Sequence, residues 1–441
     1  MNKQIIKLAI PNIISNITIP LLGMADLAIM GHLDSELYLG AISLGGMIFN
    51  FIYLIFNFLR MGTGGLTAQA YGKGSNNLVR NLFFRSLFIA LLSGIFLILL
   101  QVPIEKVGFH LIEGSYQVEN LASEYFYIRI YAAPATIGLF AVTGWLIGMQ
   151  DAKTPMYIAI IINVLNLLLN LLFVYGFGMK SNGVALATVI SQYTGLFLSL
   201  LIIGNKHKKN FIQINIKEVF DRIGLYQFFK VNSDIFIRTV ILISVFSFFT
   251  AESAKSGDKI LAVNTLLLQY LMMFSFIMDG FAQAAEALSG KYFGRATRCL
   301  LKKMVKYVFI WGFAMSLLFS TLYFFFGQYA LLIFTDNQVI IEDSRAFLIW
   351  VSLAPLLSFA SYLWDGIYIG VTASRAMRNT MLASSVLVFF PIYFFTKDEI
   401  GNHAPWVAIL GFLLARGVFQ TLVAKKAVFG KMASSEALPD C

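Results

Sequence analysis

Apolar runs of about 20 residues recur along nearly the whole chain, separated by short polar segments, and a helix needs about that length to cross the hydrocarbon core of a bilayer. The runs are read, to within a few residues, at 8–31, 39–61, 82–103, 122–147, 156–178, 183–204, 227–250, 260–288, 304–327, 345–370, 380–396 and 405–424. A lipid-exposed backbone must satisfy its own hydrogen bonds, and a barrel would show short alternating strands, so each run is predicted as an α-helix. The expected fold class is an all-α polytopic membrane protein with about twelve transmembrane helices in two pseudo-symmetric six-helix lobes. Pro11, Pro20, Pro134 and Pro355 fall inside spans and predict bends.

The polar segments alternate in charge. One set carries Lys3, Lys7, Lys73, Arg80, Arg85, Lys153, Lys206, Lys209, Lys291, Arg295, Arg298, Lys302, Lys303, Lys306, Arg375 and Arg378. The other set carries Asp34, Glu36, Glu105, Glu113, Glu119, Glu252, Asp258, Asp336, Glu342, Asp398 and Glu399. Positive charge is retained in the cytoplasm, so both termini are expected there, with an even number of spans between them. The expected location is the inner (plasma) membrane of a bacterium. The first span is read as retained, because no small-residue cleavage site follows it.

Internal repetition adds the domain organisation. The segment Gly65–Gly72 is similar to Ala287–Gly294, and Gly144-Trp-Leu-Ile-Gly148 to Gly366-Ile-Tyr-Ile-Gly370, at an offset of about 222 positions. This predicts an N-terminal lobe over 1–204, a cytoplasmic linker over 205–226, a C-terminal lobe over 227–424 and a tail over 425–441. Parallel halves around a cavity are one established transporter architecture.

Composition agrees and removes alternatives. Of 441 residues, 58% are apolar and 13% charged, about half the charged share of a soluble domain. The net charge of +10 follows the loops rather than a groove, so no nucleic-acid partner is expected. There is no phosphate-binding Gly-rich loop, no His-Glu-x-x-His and no Gly-x-Ser-x-Gly elbow. His32, His110, His207 and His403 all lie in predicted loops, and Cys299 and Cys441 have no metal-ligand spacing. No catalytic residues, resident metal or cofactor are expected.

The candidate chemistry therefore lies in carboxylates within or near the spans: Asp26, Asp234, Asp279, Glu286 and Asp365. Such a group costs about 2.5–3.5 kcal/mol at a helix centre by insertion measurements, so an ion pathway is the default reading. Asp26 is either a pathway group or an acid reaching water beside His32. Asp234 and Arg238, at i and i+4, are expected to form an internal ion pair. Asp279 and Glu286 share one face of span eight, and Asp365 precedes Gly366 near the basic end of span ten; each is either an ion site or a wetted carboxylate. Asn163, Asn166 and Asn170 form a polar stripe on span five, suited to interhelical hydrogen bonds or to coordination. Arg60, Arg129 and Arg416 are read as snorkelling to an interface.

The segments Gly23-Met-Ala-Asp26-Leu-Ala-Ile-Met-Gly31, Phe58–Gly72, Gly183–Tyr193, Asp279–Gly290 and Asp365–Asn379, in this order and spacing, resemble the multidrug and toxic compound extrusion (MATE) family and its DinF-like branch. The resemblance covers nearly the whole chain. It implies two six-helix lobes in a V that opens alternately to either side, exchanging H⁺ or Na⁺ for a substrate that is often an organic cation. It also implies a protonation site at Asp26, with Asn166, Thr188 and Tyr131 as partners. The family commonly has Asp four residues after the helix-five Asn, where this chain has Asn170, which removes one titratable group. In other branches second-lobe acids bind Na⁺, which points to Asp365 and Asp279.

The expected function is thus an ion-driven secondary antiporter, not an enzyme, exporting small molecules as a monomer in the lipid bilayer. A flippase for lipid or lipid-linked precursors is the alternative within the wider superfamily. An intramembrane enzyme using Asp279 and Glu286 is less favoured, because seven residues along a helix separate them by about 10 Å.

Overall fold

The computed structural model describes residues 1–31, 36–112, 114–208, 215–332 and 337–430, apart from the side chains of Ile19, Leu22, Ala25, Leu27, Ala28, Met30 and Gly31. The loop residues His32, Asp34, Lys209, Glu113 and Asp336, part of the expected linker and most of the tail, Cys441 included, lie outside the described residues. Among the described residues there are helices and no strands. They form α1 (Asn2–Gly31), α2 (Glu36–Gly72), α3 (Asn76–Leu99), α4 (Tyr116–Gly148), α5 (Lys153–Gly176), α6 (Lys180–Lys206), α7 (Arg222–Lys255), α8 (Asp258–Gly294), α9 (Arg298–Leu331), α10 (Gln338–Gly370), α11 (Ser374–Ile400) and α12 (His403–Phe429). Among the described residues, eleven helical stretches, those over α2 to α12, are long and apolar enough to cross a membrane. The chain is a multi-pass membrane protein.

Several spans are interrupted where the sequence disfavours a continuous helix. α2 breaks at Asn57, and α4 passes through a 3₁₀ turn at Ile130–Ala132 just before Pro134. α11 carries a π-helical turn at Ser385–Phe389 just before Pro391, whose missing N–H cannot continue the ladder. His110 lies near the end of a short helix over Gln101–Leu111 between α3 and α4, and His403 opens α12, so neither lies in a loop; His207 directly follows α6.

The helices gather into two compact units, Ile14–Phe228 and Met1–Ile13 together with Phe229–Cys441. In the first unit α4 crosses α2 so closely that a Cβ on Gly144 would lie 2.2 Å from the Arg60 carbonyl oxygen, and one on Gly148 2.7 Å from that of Gly64. In the second unit α10 crosses α8 the same way: a Cβ on Gly366 would lie 2.0 Å from the Ala282 carbonyl oxygen, and one on Gly370 2.3 Å from that of Glu286. All four contacts recur at the offset read from the sequence. With lipid tails as apolar as leucine, helices associate through close packing, and glycines four apart let two backbones approach.

The described part of the linker is anchored to the first unit. Buried Arg85 on α3 donates from Nε to the Val219 carbonyl at 2.7 Å and from Nη2 to Asp221 Oδ1 at 2.6 Å. Phe220 packs edge-on against Phe88, with ring centroids 5.0 Å apart.

Candidate functional site

In the first unit the asparagine stripe of α5 faces α1 and α6. Asn163 Nδ2 donates to the Thr18 carbonyl at 3.1 Å. Asn170 Nδ2 donates to Asp26 Oδ1 at 2.6 Å and to Asn166 Oδ1 at 3.0 Å. Asn166 Nδ2 donates to Thr188 Oγ1 at 3.2 Å, and the Thr188 hydroxyl donates to the Val184 carbonyl at 3.0 Å. A continuous hydrogen-bonded chain therefore runs from a membrane carboxylate on α1 through two amides on α5 to the backbone of α6. Asn166, Asn170 and Thr188 are buried, while Asp26 keeps partial access. Buried Asn170 Oδ1 has no hydrogen-bond partner, so one end of this amide is unused in the arrangement present.

Two neighbours differ from expectation. Tyr131 is half exposed on the 3₁₀ turn of α4 and makes no hydrogen bond to the chain of polar groups. Arg129, two residues earlier, interacts electrostatically with Asp26, Tyr53 and Tyr125; it donates to the Tyr125 hydroxyl and lies 5.0 Å from the Phe49 ring centroid. It is a positive charge held among aromatic rings.

In the second unit Asp365 is engaged on both oxygens. Oδ2 accepts from Arg238 of α7 and, at 2.7 Å, from Arg416 of α12, while Oδ1 accepts from Gln420 at 2.6 Å. Asp365, Arg238, Arg416 and Gln420 are all buried. Arg416 is thus an internal ion-pair partner and does not snorkel. The expected Asp234–Arg238 pair is absent: Asp234 instead accepts from Arg378 Nη1 at 2.7 Å and Ser374 at 2.9 Å, because Arg238 reaches across to α10. Asp279 is half-buried on α8. Glu286 is buried beside the Gly370 crossing. Among the described residues no three acids, histidines or cysteines gather as a metal cage. A hard cation such as Na⁺ takes oxygen ligands, and at Asp365 it would compete with two guanidiniums and an amide already bonded to those oxygens.

The MatE family model matches residues 11–172 and 235–394, covering most of both units. The chain belongs to the MatE family. This MATE-family transporter is 35% identical over 417 residues to DNA damage-inducible protein F of Escherichia coli (strain K12), covering 95% of this chain and 90% of that one. It is 25% identical over 451 residues to the probable multidrug resistance protein NorM of Thermotoga maritima, covering 96% and 92%. A crystal structure of MATE in the bent conformation superposes with a TM-score of 0.86 over 98% of this chain and 97% of the other, at 20% identity, which speaks for the fold. As a member of this efflux family the chain is a transporter and not an enzyme.

Asp26, Asn166, Asn170 and Thr188 of this MATE-family chain are brought together; among the described residues Asp279, Glu286 and Asp365 do not gather as a metal-holding cluster. What sequence reasoning missed is Arg129 beside Asp26 and the Arg238–Asp365–Arg416 trio. The available signal was charge balance: a carboxylate and two arginines buried in apolar spans have to meet.

Proposed function

We propose that this chain is a proton-coupled secondary antiporter that exports small, often cationic, organic compounds across a bacterial inner membrane, as a monomer with both termini cytoplasmic. The observation that carries the reading is the hydrogen-bonded chain from Asp26 to α6. The Thermotoga relative's designation as a multidrug resistance protein supports the substrate class, and the alternating loop charge supports the orientation.

Ionised Asp26 can only accept, and Asn170 faces it with its donor end. Once protonated, Asp26 is itself a donor and needs an acceptor, which the unused Asn170 Oδ1 supplies if the amide turns over. Asn170 then presents an oxygen to Asn166, so Asn166 turns over and donates to it. The Asn166 oxygen now meets Thr188, whose hydroxyl turns toward it and releases the Val184 carbonyl. The protonation state of Asp26 is thereby transmitted to α6. Each charge moved through the membrane potential contributes about 2.3 kcal/mol per 100 mV, enough to bias such a cycle.

Na⁺ coupling through Asp365 and Asp279 is the competing reading, and the occupied oxygens of Asp365 weigh against it. The lipid-linked precursor flippase would draw on Arg238 and Arg416, which already hold Asp365. The test is efflux of a cationic dye from proteoliposomes under an imposed pH or Na⁺ gradient. Efflux driven by the pH gradient and lost in Asp26→Asn is the expected result; strict Na⁺ dependence that persists in Asp26→Asn would sink the proposal.

A further inference from the structure

One face of α9 runs from charge into lipid without interruption. Arg298, Lys302 and Lys306 follow at i, i+4 and i+8, and the same exposed stripe continues through Ile310, Phe313 and Leu317. Lys303 adds a base on the adjoining face, and Arg295 one on the turn before the helix. From Lys306 to Phe313 the helix rises about 10 Å, the distance from a headgroup layer into the acyl chains.

Among the described residues the basic side chains of this corner have no acidic partner. No Asp or Glu occurs in residues 287–335 or in residues 1–25. Among the described residues none of Arg295, Arg298, Lys302, Lys303 and Lys306 forms an ion pair. The first turn of α1 is pinned alongside: the Tyr292 hydroxyl donates to Gln4 Oε1 at 3.0 Å, and Trp311 Nε1 donates to Asn2 Oδ1 at 3.4 Å. These contacts hold the exposed Lys3 and Lys7 at the same end of α8 and α9. Trp311 also stacks on Phe281, 6.5 Å between centroids, and places an indole one to two turns deeper than Lys306, where amphipathic rings sit at the edge of the headgroups.

We propose that this face of α9 binds an anionic phospholipid: its phosphate on Arg298, Lys302 and Lys306, and an acyl chain along Ile310, Phe313 and Leu317. Loop bases that serve only to orient the chain need neither a single helical face nor a contiguous apolar stripe. Anionic headgroups complement such a cluster directly, and a basic segment beside a membrane helix is the pattern that recruits them.

The test uses the full chain in phosphatidylcholine vesicles containing a minor fraction of acyl-brominated phosphatidylglycerol or, in parallel, acyl-brominated phosphatidylcholine. Bromine quenches nearby indoles, and Phe313→Trp made in the Trp311→Phe chain puts the reporting indole on the proposed face; the difference from Trp311→Phe alone isolates its signal. Brominated phosphatidylglycerol is expected to quench the indole at position 313 several-fold more effectively. The combined Arg298→Gln, Lys302→Gln, Lys306→Gln variant, whose changes are all on an exposed face, is expected to lose that preference and be quenched nearly equally by the two lipids. Molar salt should abolish it, since the Debye length falls to about 3 Å. Equal quenching by the two lipids, an unchanged preference in the triple variant, or displacement by millimolar inorganic phosphate would each overturn the proposal.

Discussion

Replacing Asp365 with Asn separates the two roles open to this carboxylate. In the native chain one buried acid balances Arg238 and Arg416, and all three side chains are withdrawn from water. The substituted amide would keep the shape and the contact with Gln420 but leave two buried guanidiniums facing each other without a counter-charge. Removing one partner of a buried ion pair costs about 3–5 kcal/mol, and the second arginine makes the upper end the relevant one here. For a unit of roughly 200 residues that loss corresponds to a fall in Tm on the order of 10 °C. The assay is thermal unfolding of the detergent-purified chain, followed by the monodisperse fraction remaining after heating. Removing the arginine charges as well should recover stability, so the neutral variant Asp365→Asn, Arg238→Gln, Arg416→Gln is expected to melt above the single variant. An Asp365→Asn protein with native Tm that had lost Na⁺-dependent efflux would refute the argument and make this acid an ion site.

The glycine crossings predict a sharp positional contrast. Gly366→Ala would bring a Cβ to 2.0 Å from the Ala282 carbonyl oxygen and should destabilise by about 1–3 kcal/mol. Gly204→Ala on α6, with nothing within 4 Å, should melt at or above the native temperature. At the basic end of the first unit, burial against Trp145 and then the charge of Lys206 hold the His207 imidazole below its usual pKa, with Asp151 partly opposing. A histidine whose folded pKa is depressed resists protonation only while folded, so stability is expected to fall as pH drops through about 6.5 and below. His207→Gln should flatten that part of the melting-temperature profile; an unchanged slope would exclude His207 as its source.

The candidate site was legible where one helix carried the information. Asn163, Asn166 and Asn170 share a stripe because the helical repeat places residues three and four apart together, and the stripe does face α1 and α6. The resemblance to a known family supplied the partners Asp26 and Thr188. The same local reasoning failed at Asp234 and Arg238. Spacing at i, i+4 permits a bond, but each side chain found a partner on another helix, Arg378 and Asp365 respectively. Tyr131 sits half exposed on the 3₁₀ turn that precedes Pro134, a placement the sequence pattern of α4 does not show.

By itself the sequence determined which segments are helices in a membrane and that they form a duplicated set. Both properties are linear: a span needs an unbroken apolar run, and a repeat needs only an offset, later seen again in the Gly144 and Gly366 crossings. Only the tertiary structure decided which buried charges neutralise one another, that Arg129 lies near Asp26, and that both oxygens of Asp365 are occupied. Charge pairing between helices depends on their rotation and crossing depth, set by packing across the whole unit, and no single stretch of chain encodes it.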